Sequence, residues 1–180
     1  PDAAGKTTWD YVVGDPSKFV APLDPHMIES NAPRTGANPI NGVILAPPNA
    51  PAGADAINGH EYTPGTMNGA QVVADDLQYA CIFPLPSPRD CTAGVTCDCM
   101  DPQNDNPLCS PAQNGDRTLQ TSAKAYPSLR QLDLVRLLGD RGVAGSICPA
   151  QTSDESRVDF AFRPSITAIV RSIASALLPP

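Results

Sequence analysis

Six cysteines are the residues whose type and spacing most readily do chemistry in this sequence: Cys81, Cys91, Cys97, Cys99, Cys109 and Cys148. Five of them fall within 29 residues. Cys97-Asp98-Cys99 lacks the two-residue gap of zinc-binding pairs, and His26 and His60 are distant in sequence, so the pattern argues for disulfides over zinc. An even count in Pro-, Asn- and Gly-rich surroundings implies an oxidising compartment. Cys97 and Cys99 are too close to bond each other comfortably. The expected pairing is Cys91–Cys99 with Cys97–Cys109, one arrangement among the many that six cysteines allow. Cys81 and Cys148 are expected to bond if their strands are neighbours in phase and depth; the alternative is a buried free thiol.

Between the cysteines, Asp98, Asp101, Asn104, Asp105 and Asn106 make an oxygen-rich loop. Calcium takes such ligands, which makes Asp98, Asp101, Asn104 and Asp105 the candidate metal site and calcium the one cofactor to consider. The spacing is not that of an EF-hand, with no Gly at the required position and no closing Glu; a solvated disulfide loop is the simpler reading. Ser146, beside Gly145 near the end of an apolar run, is the candidate nucleophile. However, Gly-x-Ser-x-Gly is absent, and no motif places His26 (near Asp24 and Glu29) or His60 (beside Glu61) next to it. Asp75-Asp76 and Asp154-Glu155 read as solvated loop charges, and Arg157, Arg163 and Arg171 as salt-bridging or solvated. No catalytic residue is assigned.

The elements that must position these residues change in texture along the chain. Of 21 prolines, ten fall in the first 64 residues, which excludes a first half made mostly of helix or central strand. The net charge of −7 argues against nucleic acid or anionic membrane as the main partner. No stretch approaches the roughly 18 apolar residues of a membrane span. Without a basic-then-apolar leader, the chain reads as a mature product or as part of a longer precursor.

Residue types favour a strand at 9–13, a turn at 14–17 and a short extended piece at 19–20. Asp24 as cap and Pro25 at the first position suit one helical turn, with a surface turn as the alternative. Residues 42–45, the one compact apolar run in an irregular covering over 31–70, are expected to form a strand. Residues 77–83 are the best strand of the first half, nearly continuous in apolar content and stopped by Pro84, Pro86 and Pro88. Residues 89–117 are a cysteine-rich insertion.

Pro127 then opens a helix in which Leu129, Leu132, Val135 and Leu138 recur every three residues, widened by Leu134 and Leu137, with Gly139 and Gly142 as stops. Residues 143–148 read as a short buried strand, 149–157 as polar loop, and Val158, Phe160 and Phe162 as an extended lead-in. Pro164 opens the last helix, with a stripe of Ile166, Ile169, Val170, Ile173 and Leu177. Strand, insertion, helix, strand, helix implies a parallel sheet with a right-handed crossover, its helices burying their Leu and Ile faces. The chain is expected to be a single domain over 1–180, or the C-terminal part of one. Residues 1–76 would be its loop-rich portion and 77–178 its core.

The run at 77–83, the Cys97-Asp98-Cys99 insertion, Asn106-Pro107-Leu108-Cys109, and 143–148 followed by a terminal helix together resemble the C-terminal part of von Willebrand factor type A-like extracellular proteins of myxobacterial type. The resemblance covers roughly residues 77–178 and implies an α/β fold with a doubly wound, mainly parallel sheet carrying long disulfide-bonded insertions. The family's metal-ion-dependent adhesion site begins with Asp-x-Ser-x-Ser, which this sequence lacks; Asp15-Pro16-Ser17-Lys18-Phe19 has no second serine. No metal ligand is therefore carried over.

Two readings of function follow. The first is a non-enzymatic adhesion, binding or assembly module, extracellular or on the cell surface, whose partner is another protein, itself, or a separate N-terminal chain. The second is a secreted hydrolase or metal-dependent enzyme with a loop-built site. A histidine within bonding distance of both a carboxylate and Ser146 would favour the second.

Overall fold

The computed structural model describes residues 2–46, 54–60, 65–67, 70–72, 77–92 and 97–177. Asp75, Asp76, Glu61 and Tyr62 lie outside them. The chain divides into two compact units, Pro1–Pro127 and Ser128–Pro180.

Unit 1 opens with a helix, α1 (Thr8–Val12), where residue types favoured a strand. The reason is local. The Thr7 hydroxyl caps the Asp10 amide while the Asp10 carboxylate takes the Thr7 amide, a capping box that outweighs the β preference of Trp9, Tyr11 and Val12.

A tight loop follows. Asp15 and Val20 exchange two backbone hydrogen bonds, of 2.9 and 3.0 Å, around a 3₁₀ turn at Pro16–Lys18. The Asp15 carboxylate accepts from Ser17 Oγ at 2.6 Å and Lys18 Nζ at 2.8 Å. Gly14 is obligatory: its φ is +71°, and a Cβ there would sit 2.3 Å from the Val20 carbonyl oxygen. Phe19 closes the turn in the left-handed region, φ 56°, at a cost of about 1–2 kcal/mol for a bulky residue. Its ring is 98 % exposed. The expected turn at Asp24 forms as a 3₁₀ turn, Pro25–Met27, with the Asp24 carboxylate capping the His26 amide at 3.0 Å.

Two sheets follow among the described residues of unit 1. β1 (Gly65–Met67) and β2 (Ala70–Val72) pair as an antiparallel hairpin. β3 (Cys81–Asp90), β4 (Cys109–Ser110) and β5 (Leu119–Ala125) form an antiparallel sheet in the order β3-β5-β4. This overturns the doubly wound parallel sheet and with it the fold that the von Willebrand A resemblance implies. The decisive element is β5, a polar, alternating Leu-Gln-Thr-Ser-Ala-Lys-Ala segment that returns antiparallel against β3 and leaves no crossover to make. β3 begins at Cys81 instead of Leu77 and runs through Pro84, Pro86 and Pro88 instead of stopping there. It is an edge strand, where proline is tolerated: Pro84 still pairs with Ser122, pairing with β5 is interrupted over 85–88, and the register shifts before it resumes at Arg89. Residues 42–45 contribute only bridges at Ile44, to Ala37 and Ala54.

The core of unit 1 is a small cluster of Tyr79, Cys91, Cys99, Leu108 and Cys109, flanked by Ile57, Ile82, Cys97 and Tyr126. Two disulfides run through it. Cys91 bonds Cys97 and Cys99 bonds Cys109, with Cα–Cα distances of 5.9 and 5.7 Å. The expected crosswise pairing, Cys91–Cys99 with Cys97–Cys109, is therefore wrong. Each cysteine bonds a partner six or ten residues away, which closes two short consecutive loops instead of two interleaved ones. Cys81 and Cys148 are also disulfide-bonded, and none of the six cysteines is free. The parallel-strand premise for joining them fails, since Cys81 opens an antiparallel strand and Cys148 lies in a bend.

Unit 2 holds both expected helices, α2 (Leu129–Leu137) and α3 (Arg163–Leu177). Residues 143–148 are not the expected strand: they are irregular, and Ile147 is 59 % exposed. A sequence of Gly, Ala and Ser around two aliphatics has too little side chain to pay for burial on both faces. The lead-in at 158–162 is likewise a set of turns, with one parallel bridge from Phe160 to Gln151. The expectation that the helices bury their apolar faces also fails. Among the described residues of unit 2 no side chain is buried, and Leu134, Leu137, Ile166, Val170, Ile173 and Leu177 are each more than half exposed.

Candidate functional site

Three groups of chemically capable residues emerge. The first is the acidic loop. The Asp98 carboxylate takes Lys124 Nζ at 2.7 Å on one oxygen and Gln120 Nε2 at 3.0 Å on the other. Lys124 in turn lies over the rings of Tyr79 and Tyr126, at 5.5 and 5.8 Å. Asp101 Oδ1 accepts from the Gln103 amide at 2.9 Å, and Asn104 Oδ1 from the Asn106 amide at 3.0 Å. These are Asx turns, in which the side-chain oxygens shape the backbone. Asp105 is exposed. Among the described residues, no three His, Cys, Asp or Glu side chains converge as metal ligands do. The loop is organised by β5 and by Arg117, whose guanidinium donates to the carbonyls of Asn106, at 3.0 Å, and Cys109.

The second group gathers around His26. Its Nε2 bonds the Asp55 carboxylate, and its Nδ1 lies 3.5 Å from Asp24 Oδ1. Behind it, Arg34 is buried and donates to four carbonyls: Tyr79 and His26 at 2.9 Å, Ile28 at 3.2 Å and Gln78 at 3.3 Å. Asn58, fully buried, accepts from the Arg34 amide at 2.8 Å and donates to its carbonyl at 2.9 Å. Buried Gln78 accepts from the Gly59 amide. Sequence reasoning singled out His26 but missed Arg34, Asp55, Asn58 and Gln78, because they come from separate loops and share no spacing. Both imidazole nitrogens face carboxylates from separate loops, so this cluster reads as a clasp that holds the segment 54–60 against 24–34. His60 is half-buried at the end of that segment.

Burial pushes the Asp55 carboxyl up, but the hydrogen bond and charge of His26, the Ile57 amide and Arg34 outweigh it and hold the group below its ordinary value. Lys18 and Ser17 hold Asp15 at about 2. In unit 2, the bidentate Arg157 pair, with both bonds at 2.8 Å, holds Asp159 at about 2. A carboxyl depressed in the folded state stabilises it above the ordinary carboxylate pKa, and that contribution is lost as pH falls through the folded value. Thermal melts should therefore be flat down to pH ~4 and fall steadily towards pH ~2; a melting temperature that holds constant to that point would contradict the clasp and both ion pairs.

The third group surrounds Ser146. Its hydroxyl accepts from the Cys148 amide at 3.0 Å and lies 3.3 Å from the Cys148 carbonyl, a local turn that occupies it. It borders a cleft of about 350 Å³ in unit 2, lined mainly by small side chains, among them Ala150, Ala161, Pro164, Ser165 and Ala168, with Asp159 at its edge. Arg163 is spent on the carbonyls of Glu155 and Arg157, at 2.9 and 2.6 Å. Arg171 lies exposed on α3. No helix among the described residues is long and apolar enough to cross a membrane. No protein-family model, curated protein or solved structure matches this chain.

Proposed function

We propose that this chain is an extracellular or cell-surface assembly module that associates with further copies of itself through unit 2. The observation that carries the reading is the open apolar stripe of α3. Ile166, Ile169, Val170, Ile173 and Leu177 are between 43 % and 76 % exposed, on a helix with no acidic residue. A stripe spaced i, i+3, i+4, i+7, i+11 is the pattern of a helix that lies against an apolar surface. Left uncovered, such a contiguous patch marks an interaction site.

Charge favours a second copy as the cover. Unit 1 carries fourteen acidic against six basic residues, whereas unit 2 carries five against six and α3 has two arginines. Contact between the acidic unit of one copy and the neutral-to-basic unit of the next is favoured over like-on-like contact. The oxidised cysteines support an oxidising compartment. The clasp at His26 and the occupied Ser146 hydroxyl favour this reading over hydrolysis.

Light scattering coupled to gel filtration tests it. The chain should elute above its monomer mass, and Ile169→Asp with Ile173→Asp should return it to the monomer with helix content unchanged. A wild-type chain that is monomeric throughout, or a double variant that assembles as well as the wild type, would refute it.

A further inference from the structure

We propose that Phe19 is the knob by which one copy docks into the unit 2 cleft of another. The inference rests on the assembly reading above and names the contact that makes it directional. Phe19 is the most exposed large apolar residue in the described chain, at 98 %, and it sits in a backbone conformation that suits Gly or Asn better than an aromatic. Both features are unfavourable in the isolated chain. Neither arises from looseness: the Asp15–Val20 hydrogen bonds close the loop, the saturated Asp15 carboxylate braces it, and Gly14 packs directly under the Val20 and Ala21 backbone. The loop, closed by these backbone bonds, holds one ring, with Val20 beside it, out into solvent. Pre-organised aromatic anchors of this kind lose little entropy on docking and dominate interface energetics.

The cleft is a match for that ring in size and chemistry. A cavity of roughly 150 Å³ admits benzene, and this solvent-open cleft offers about 350 Å³, lined by Ala, Gly, Pro and Ser residues together with Cys148 and Asp159. Small residues leave room for a phenyl without competing for it. The ionised Asp159 at the edge is neutralised by Arg157 and adds no repulsion toward a neighbour. The charge difference between the units, −8 for residues 1–127 and +1 for 128–180, selects knob-to-cleft contact over knob-to-knob contact. The same −8 disfavours an anionic lipid surface as the home of the ring. Knob and cleft are different surfaces, so the contact is heterologous: it leaves a free knob at one end and a free cleft at the other, and builds chains or rings.

Two variants and their mixture test this. Phe19→Asn removes the ring and suits the left-handed backbone, so it should fold at least as stably as the wild type. Ala168→Phe fills the cleft, and Ala168→Leu replaces it should the larger residue impair folding. Each variant alone should self-associate more weakly by about tenfold or more. An equimolar mixture should form a heterodimer and nothing larger, because only one knob and one cleft remain usable. If Phe19→Asn assembles like the wild type while the α3 double variant does not, the knob is refuted and the assembly reading stands. If wild type and all variants are monomeric, both fall. Loss of assembly in Phe19→Asn with none in either Ala168 variant refutes the cleft as receptor. Binding of anionic phosphatidylserine vesicles that is lost in Phe19→Asn reassigns the ring to a lipid surface and refutes the proposal.

Discussion

Replacing Cys99 and Cys109 together by alanine is expected to unfold unit 1 or leave it marginal. The bond closes a ten-residue separation, and chain entropy alone gives about 3 kcal/mol for a loop of this size. The loss extends beyond entropy, because Cys99 and Cys109 are among the few buried residues of the core and pack beside Leu108 and Tyr79. Among the described residues of unit 1 the hydrophobic cluster is small, and stability of small folds is itself only about 5–15 kcal/mol. Removing Cys91 and Cys97 should cost less, since their loop is shorter and Cys97 is only half-buried. Chemical denaturation of the two double variants checks the order. A Cys99/Cys109 variant as stable as the Cys91/Cys97 variant would show that the core does not depend on its disulfides in this way.

Arg34→Met should destabilise unit 1 by about 3–5 kcal/mol, the range found when one partner of a buried charged network is removed. The methionine roughly keeps the volume, so the effect isolates polar satisfaction from packing. Four carbonyls on two separate segments, 26–28 and 78–79, lose their shared donor, and Asp55 loses a nearby cation. Unsatisfied buried carbonyls each cost on the order of 1–3 kcal/mol when they cannot reach water. Arg34→Lys should recover only part of the loss, because one ammonium cannot span the fork that reaches all four acceptors. Urea denaturation gives the size of the effect, and amide hydrogen exchange at Gln78 and Ala80 shows where the structure opens. A loss below about 1 kcal/mol would mean that solvent replaces the guanidinium and that Arg34 is not the organising residue.

What could be read from the sequence was whatever local patterns decide. Pro127 and Pro164 with three- and four-residue apolar spacing placed α2 and α3, and Asp24-Pro25 placed its 3₁₀ turn. The cysteine count gave oxidation but not connectivity, because which sulfurs meet depends on the fold of the intervening loop. β5 was invisible for a physical reason: its stability comes from two neighbouring strands and from buried Gln120, not from apolar alternation. β3 was cut short because prolines are read as breakers, whereas an edge strand carries them through at the cost of a break in the ladder between Pro84 and Arg89. α1 went the other way, a capping box defeating β propensity over five residues. The His26–Asp55–Arg34 clasp joins three loops, and no periodicity marks such a meeting. Amphipathic spacing in α2 and α3 was correctly seen, yet spacing says only that a face is apolar. It does not say whether that face is covered within the chain.

That last point makes association state the central question. Sedimentation velocity on the intact, oxidised chain over a wide concentration range addresses it most directly. The sedimentation coefficient should rise with concentration and keep rising past the dimer, as a heterologous contact requires. A single monomeric species at every concentration would contradict the account.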